Sequence, residues 1–588
     1  WAKHLESSDP STIFLAHGKA RLNESYTGIA TGARIQAVNA AERELAALDD
    51  DREGAVVSSW LNGRRKGVLA NIVVGTIDQA LFGGLQTRYV ALRHLGLASK
   101  VVIVDEVHAA DDYMRTYLVR ILEWLAAFGT PVILLSATLP PSQRRELVAA
   151  YAKGRQRGVE RTLESLGYPQ ITVQTDQTHV VAVPWDGDHR RLEARRLSLH
   201  DLAQTVIDAV EDGSVVVVVR NTVRAAQETY AALASALGAR VTLVHSRFLA
   251  SDRAAREQRL RDQLGPPRPD RERPFGLAVV GTQVLEQSLD IDADLMITDL
   301  APMDLLLQRA GRLHRHRRGQ GESDRPAGAR RPRLLVLGVP DPDANASPTL
   351  DDGSEAVYGA SRLLRATAVL APHLAGREVQ LPDDVPGLVE AAYDPDLPAP
   401  RGWEVPWQAA ELDQARRREE QVFNAKTFLL GGPRSSKTLV DWLDRRVGDS
   451  ENDEKAGGHA QVRDSEDGVE VIVVQQRNGA TRLLPFGTAY PGADLGHVSL
   501  DEPPGELAMA AANSTLRLPG VLTRPWTIDR TIGELESLGR GFVGWQRSPL
   551  LAKQLILPLD DNLEATVAGW RLRYDRDLGL VTRREEGP

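Results

Sequence analysis

The chain has 588 residues, 42% of them hydrophobic and 26% charged, with a formal net charge of −9. That length suggests about three or four domains of ordinary globular composition, and the acidic balance excludes a uniformly basic coat while leaving room for a local basic groove. The complete lack of cysteine excludes disulfides, thiolate metal sites and a cysteine nucleophile and fits a reducing, cytoplasmic setting, and no apolar run reaches the roughly 18–20 residues of a membrane span.

The opening WAKHLESSDP has neither a basic n-region nor an apolar h-region. A start at Trp1 without a processing signal leads us to expect a fragment of something longer. Short β-branched apolar runs then recur between helical patterns: NIVVG (71–75), KVVIVDE (100–106), PVILLSAT (131–138), SVVVVVRN (214–221), RVTLVHS (240–246), FGLAVVGT (275–282) and DLMITD (294–299). Continuous apolar strands alternating with helices predict parallel sheets covered on both faces. Ser136 and Thr138 precede Pro140, Pro141 and a polar, Arg-rich helix; Asn221 and Thr222 precede VRAAQETYAALASAL, where they could cap exposed N–H groups. The expected fold class is α/β: two lobes, 1–185 and 186–340, a linker at 341–425 with a Pro-rich segment at 382–407, and a smaller α+β C-terminal domain at 426–588. Residues 449–467 hold seven acids against two bases and read as a mobile loop. Strands and hairpins are expected in VEVIVVQQ (469–476) and LEATVAGWRLRYDRDLGLV (563–581). We find no internal repeat.

In open α/β sheets ligands sit at the carboxyl ends of the strands. Those ends carry Asp105, Glu106 and His108 after one strand, Ser136 and Thr138 after another, and Thr282, Gln283, Glu286, Gln287, Ser288 and Asp290 after a third, followed by QRAGRLHRHRR at 308–318. A strand-end carboxylate can hold Mg²⁺, a neighbouring Glu can orient and deprotonate water, and arginines can neutralise a transferring phosphoryl group. Each piece has a plain alternative. An Asp-Glu pair after a strand is commonly a solvated loop, SAT is a common tripeptide, and an Arg-His run is commonly a solvated or nucleic-acid-facing surface.

Their order changes the reading. DEVH, SATLP, GTQVLEQSLD and QRAGRLHRH together resemble the second to sixth motifs of superfamily 2 helicases of the DExH kind. GTIDQALF, VVIVDEVHAADDYM, VVGTQVLEQSLDID and LLLQRAGRLHRH narrow the resemblance to the CRISPR-associated nuclease-helicase of type I systems. It covers residues 15–320 and extends more loosely to GWRLRYDRDLGLV. The resemblance implies two RecA-like lobes, a linker and a C-terminal lid domain, preceded by an HD-type nuclease that takes a divalent transition metal. It implies ATP and Mg²⁺ as cofactors. The implied partners are single-stranded DNA, the displaced strand of an R-loop, and the Cascade surveillance complex with its guide RNA, with 3′ to 5′ translocation and no membrane. By the same resemblance Asp105 holds Mg²⁺–ATP with Ser136, Thr138 and Asp290 nearby, Glu106 activates water, His108 couples the nucleotide site to the other lobe, and Gln308, Arg312 and Arg315 face the phosphates.

Two parts are missing from the sequence. No G-x-x-x-x-G-K-[ST] phosphate loop occurs. HGKA (17–20) has Ile13 where the first Gly belongs and Ala20 in place of the hydroxyl, and GGPRSSKT (431–438) has Ser436 before Lys437 and follows the sixth motif. An HD metal cluster is absent too: His200-Asp201 opens a helix, with Asp201 a first-turn or capping acid, and DGDH (186–189) has the reverse order in a loop. We expect both parts to precede Trp1 in a full-length protein.

Superfamily 2 motors hold one strand by its phosphates, with helix N-termini and hydroxyls, without sequence preference. Candidates at strand–helix junctions are Thr76, Gln79, Asn221, Thr222, His245, Arg247, Thr282 and Gln283. For Thr76 an ordinary helix cap stays open, because capping and phosphate binding compete for the same N–H groups. Nine arginines against two acids fall in 309–333; beyond Arg312 and Arg315 they could be a solvated face or a DNA-lining patch. Two rival functions remain: a generic DExH nucleic-acid helicase, and, for this chain alone, a non-catalytic DNA-binding or adaptor module.

Overall fold

The computed structural model describes residues 12–16, 66–87, 89–159, 163, 167–286, 289–341, 347–433, 468–477 and 479–585. HGKA at 17–20, most of GGPRSSKT, the acidic stretch 449–467, Gln287 and Ser288 lie outside them. The chain divides into two units, Trp1–Trp185 with Asp413–Asp464, and Asp186–Leu412 with Ser465–Pro588.

In the first unit β1 (Ile13–Ala16) and β2 (Ile72–Gly75) pair in parallel, as do β3 (Val102–Val104) and β4 (Val132–Leu134), while β5 (Gln170–Gln174) and β6 (Thr178–Ala182) form an antiparallel pair. The helices are α1 (Ile77–Leu81), α2 (Val90–Ala98), α3 (Asp112–Phe128) and α4 (Pro141–Gly154). Asp111 starts α3 by accepting the Met114 N–H at 2.8 Å, and Gly129, at φ 75, ends it in the left-handed conformation that glycine adopts without penalty. Between those signals Tyr117, Leu118, Ile121, Leu122 and Leu125 recur at helical spacing and pack with Val102, Val104 and Leu147 into one core.

The second unit is built on a seven-stranded sheet. Its strands are β7 (Arg190–Leu197), β8 (Val215–Val219), β9 (Val241–Val244), β10 (Leu277–Gly281), β11 (Leu295–Asp299), β12 (Arg333–Leu337) and β13 (Val379–Leu381), in the order β13-β7-β12-β11-β8-β10-β9. All neighbours are parallel except β13, which is antiparallel to β7. The five valines of β8 show why a continuous apolar run is needed here. Val215, Val217 and Val219 enter one core and Val216 and Val218 the other, one on each face of the sheet. Helices α5 (Leu202–Glu211) and α6 (Val223–Leu237) cover one face; α7 (Ala250–Leu264), α8 (Met303–Ala310), α9 (Asp352–Tyr358), α10 (Ala360–Leu374) and α11 (Val385–Tyr393) follow, several of them filling the other core.

The part of the expected linker, 341–425, that runs to Leu412 is instead built into this unit, while Asp413 onward belongs to the first unit. Strand β13 extends the sheet, and Leu363, Ala366, Leu370, Leu388, Val389 and Ala392 of α10 and α11 fill its core. Prolines misled the reading because Pro386 stands in the first turn of α11, where its missing N–H costs nothing. Helix α12 (Glu404–Thr427) also begins inside the Pro-rich segment.

The C-terminal part has β14 (Glu470–Arg477), β15 (Ala480–Arg482), β16 (Thr515–Arg517) and β17 (Leu555–Leu559) in one mixed sheet, helices α13 (Gly505–Asn513), α14 (Gly520–Thr523) and α15 (Ile528–Gly539), and the antiparallel meander β18 (Glu564–Val567), β19 (Trp570–Asp575) and β20 (Gly579–Arg584). Its core takes in Leu249 from the loop after β9, and its Leu578 packs on the α5/α6 core.

Candidate functional site

Strand β3 is three residues long, and the chain leaves it with Asp105 and Glu106 exposed. Glu106 sits at φ 54, ψ 43, a left-handed conformation that costs a side-chain-bearing residue about 1–2 kcal/mol. Three backbone N–H groups hold the turn: Glu106 donates to Asp105 Oδ1 at 2.9 Å, Val107 to Leu135 O at 3.1 Å, and Leu135 to Val104 O at 2.8 Å. His108, 6% exposed, closes the site: its Nδ1 lies 3.1 Å from Ser136 Oγ and 3.3 Å from Glu106 Oε2. The Ser136 hydroxyl donates to Thr138 O at 2.7 Å, so its lone pair accepts, which places the His108 proton on Nδ1. The DEVH and SAT loops are therefore one hydrogen-bonded assembly, with Thr138 buried beneath it. Glu106 is held at one oxygen by an imidazole while its side chain stays 62% exposed, which suits a carboxylate that must meet water.

Among the described residues no group of three or more His, Cys, Asp or Glu gathers to hold a metal ion. Mg²⁺ needs no such cage where it keeps its waters and takes one carboxylate plus substrate phosphates. Exposed Asp105 fits that role.

Thr76 and Gln79 belong to the same unit. Thr76 occupies the position before α1, but its exposed hydroxyl donates to Asp78 Oδ2 at 3.2 Å and caps no N–H. Gln79 Oε1 accepts from Arg93 at 3.3 Å.

In the second unit the remaining candidates stand at the ends of β8, β9, β10 and α8. Thr222 caps α6, accepting the Ala225 N–H at 3.2 Å. Three other expected strand contacts are corrected by burial: Asn221, His245 and Thr282 are 3%, 0% and 4% exposed, so their side chains face the interior and not a strand. His245 Nδ1 accepts the Arg247 N–H, which leaves its proton on Nε2, donating to Leu578 O at 3.1 Å. Burial and the Arg247 charge push its imidazole down to about 3. Gln283 spends its amide on Asn221 O and the Tyr358 hydroxyl, at 3.2 and 3.1 Å. Arg247 is half-buried, and burial alone pushes its guanidinium down to about 10.

Most of the arginine-rich run is spoken for inside the unit. Arg315 and His316 both reach Asp290 Oδ1, at 2.6 and 3.0 Å. Burial pushes the Asp290 carboxyl up, but the Arg315 hydrogen bond and the His316 and Arg315 charges prevail and hold it below the usual range. Arg317 pairs with Asp188, Arg318 with Asp292, and Arg325 with Asp292 and Asp294. Asp292 and Asp294 are 0% and 1% exposed, so the Arg318 and Arg325 pairs are fold determinants, while the Arg317–Asp188 pair lies at the surface. Arg312 donates to Glu286 O at 2.7 Å, and Gln308 is half-buried on α8.

Sequence reasoning missed Arg309, which is completely buried. Its Nε donates to Glu286 Oε2 at 2.7 Å and its Nη1 to Thr298 Oγ1 at 2.6 Å, with Asp299 O, Asn221 Oδ1 and the Tyr358 hydroxyl completing the shell. The signal was present: Arg309 follows Leu306 by three residues, on the inward face of α8.

Two family models match the chain: CRISPR-associated nuclease/helicase Cas3, C-terminal, at residues 212–318, and Cas3 C-terminal domain at residues 463–580. A CRISPR-associated nuclease/helicase Cas3 from Streptococcus thermophilus is 35% identical over 99% of this chain and 61% of its own length. The T. fusca Cas3–AMPPNP crystal structure superposes with a TM-score of 0.77 at 27% identity, covering 98% of this chain and 62% of that one. A chain of a CRISPR RNA-guided surveillance complex, pre-nicking, gives 0.69 at 28% identity over 97% of this chain and 64% of its own. The chain thus spans somewhat under two thirds of the length of these relatives.

Proposed function

The chain belongs to the CRISPR-associated Cas3 nuclease/helicase family, and from that membership we propose that it is the ATP- and Mg²⁺-dependent single-stranded DNA translocase portion of such an enzyme. The working setting is a cytoplasmic R-loop held by Cascade, with 3′ to 5′ movement along the displaced strand; nuclease activity and its metal belong to the full-length protein. Among the described residues no helix is long and apolar enough to cross a membrane.

The observation that carries the reading is the DEVH–SAT assembly. A left-handed turn presents Glu106 to solvent while His108 ties it to the loop after the neighbouring strand. Bound Mg²⁺ would neutralise charge on the nucleotide phosphates, and Asp105 is the carboxylate to hold it. Glu106 orients water and takes its proton. His108 passes any shift at the nucleotide to Ser136 and the SAT loop. Gln308, Arg312 and Arg315 are assigned to phosphate charge. Thr222 and Arg247 are assigned to the DNA backbone.

The test is Glu106→Gln in a full-length protein, of the length of those relatives and with a phosphate loop. ATP affinity is expected to persist while DNA-stimulated phosphate release falls about 10²-fold or more, in the range of general-base effects. Unchanged hydrolysis would reject the role of Glu106. Binding of single-stranded DNA without any hydrolysis in the unmutated protein would favour the adaptor reading.

A further inference from the structure

Helix α9 lies in no motif, yet it touches three of them. Its first turn rests on the loop after β8: Asn221 Nδ2 donates to Ser354 Oγ at 2.8 Å, and the Ser354 hydroxyl donates to Asp351 Oδ2 at 2.9 Å. The approach is close enough that a Cβ on Gly353 would stand 2.9 Å from Thr222 Cγ2. Its last residue, Tyr358, reaches the other two. The Tyr358 hydroxyl accepts from Gln283 Nε2, after β10, at 3.1 Å and from Arg309 Nη2, on α8, at 3.0 Å. Arg309 stands three residues before Arg312.

We propose that Tyr358 is a positioning residue that couples DNA occupancy at Thr222 to the setting of Arg312, with α9 as the strut and Arg309 as the receiving end. The proposal rests on the function assigned above. Its basis is the saturation of Arg309. That side chain is 0% exposed, so no solvent replaces a lost partner. Its Nη2 has two acceptors, the Tyr358 hydroxyl at 3.0 Å and Asn221 Oδ1 at 3.3 Å, and the second is shared with Nη1. Of the groups that hold Arg309, the Tyr358 hydroxyl alone comes from α9; the others come from β11, from the loop after β8 and from the loop after β10. A push on the Thr222 loop moves α9 at Gly353 and Ser354 and reaches Arg309 through that oxygen. Two sites biased by one shared rigid element are what energetic coupling requires.

Tyr358→Phe in the full-length protein removes the oxygen and keeps the ring. Phosphate release is measured with and without saturating single-stranded DNA, alongside the ATP KM, DNA affinity by fluorescence anisotropy, and the thermal unfolding midpoint. DNA-free turnover, ATP KM and DNA affinity are expected to stay within about twofold, while the stimulation by DNA falls about tenfold, within the usual span of coupling factors. A general packing defect would lower all of these together and would overturn the proposal, as would undiminished stimulation. Should Tyr358→Phe unfold, Ser354→Ala at the other end of the helix carries the same expectation and the same refutation. If the unmutated protein shows no DNA-stimulated hydrolysis, the assigned function fails; if it does and both variants match it, only the role of Tyr358 fails.

Discussion

Gly579→Ala tests how the C-terminal hairpin holds the loop that carries Arg247. Gly579 opens β20 at φ +66, and a Cβ there would lie 2.7 Å from Arg247 O and 3.1 Å from His245 Cε1. Around it the hairpin and lobe are stitched together. Leu580 N–H donates to Arg247 O at 2.9 Å, His245 and Gln227 donate to Leu578 O at 3.1 and 2.7 Å, Arg256 donates to Arg576 O at 2.7 Å, and Leu249 N–H donates to the Tyr574 hydroxyl at 2.9 Å. The left-handed backbone alone costs alanine about 1–2 kcal/mol. The clash is with backbone, which cannot swing away, and overpacking of that kind costs about 1–3 kcal/mol. Together they disfavour docking by about 2–5 kcal/mol, or roughly 30- to 4,000-fold at 1.4 kcal/mol per tenfold. Amide hydrogen exchange reads this directly, since Leu580 and Leu249 donate across the interface. Both amides are expected to exchange faster by that factor, with β8 and β11 unchanged. Unaltered protection at Leu580 and Leu249 would refute the hairpin as the clamp on this loop.

Thr222→Ala with Arg247→Ala is expected to weaken single-stranded DNA binding at any sequence and to flatten its salt dependence by about one unit of slope, for the one charge lost. Because Thr222 also caps α6, the unfolding midpoint should be followed in parallel, with about 1 kcal/mol of stability lost. Arg312→Ala is expected to lower hydrolysis and leave DNA affinity nearly unchanged; loss of DNA binding with ATP affinity intact would reassign the segment to the strand path. Buried His245, neutral down to about 3 when folded, binds a proton in the unfolded chain near its ordinary 6.5. Its share of stability is complete above pH 6.5 and is lost as pH falls, by about 2 kcal/mol at pH 5. Denaturant unfolding of the wild type and His245→Gln at pH 7 and pH 5 should differ by that much in pH dependence, and parallel curves would refute it.

The parallel sheet was legible because a strand buried on both faces has no room for polar residues. The run at 214–221 and its neighbours announce themselves without any alternation, and β8 does divide its valines between two cores. The segment 341–425 was misread for the opposite reason. Its strand β13 is only three residues long, and prolines stand in its helices, Pro372 inside α10 and Pro386 in the first turn of α11, which masks the helical spacing of Leu363, Ala366 and Leu370. What fixes it is non-local: hydrogen bonds to β7 and burial of Leu363, Leu370 and Leu388 against a sheet laid down far earlier in the chain.

The same distinction runs through the site. Asp105, Glu106 and His108 could be picked out because ionisable groups crowded directly after an apolar strand must find solvent, a partner or a ligand at the sheet's edge, and the structure joins Glu106 and His108 to Ser136. Sequence could not tell which polar residues at the other strand ends face outward. Asn221 and Thr222 are adjacent and chemically similar, yet one is buried among Arg309, Leu300 and Ser354 and the other sits at a helix start. A buried guanidinium settles the matter, because its donors must all be met within the protein. Arg309 recruits Asn221, Glu286, Thr298 and Tyr358, each of which reads as a site residue or as nothing when taken alone. Residues that supply this shell are fixed in place by it; Thr222, Arg247 and Arg312 lie outside it, and they are the ones we propose for a strand or a phosphate.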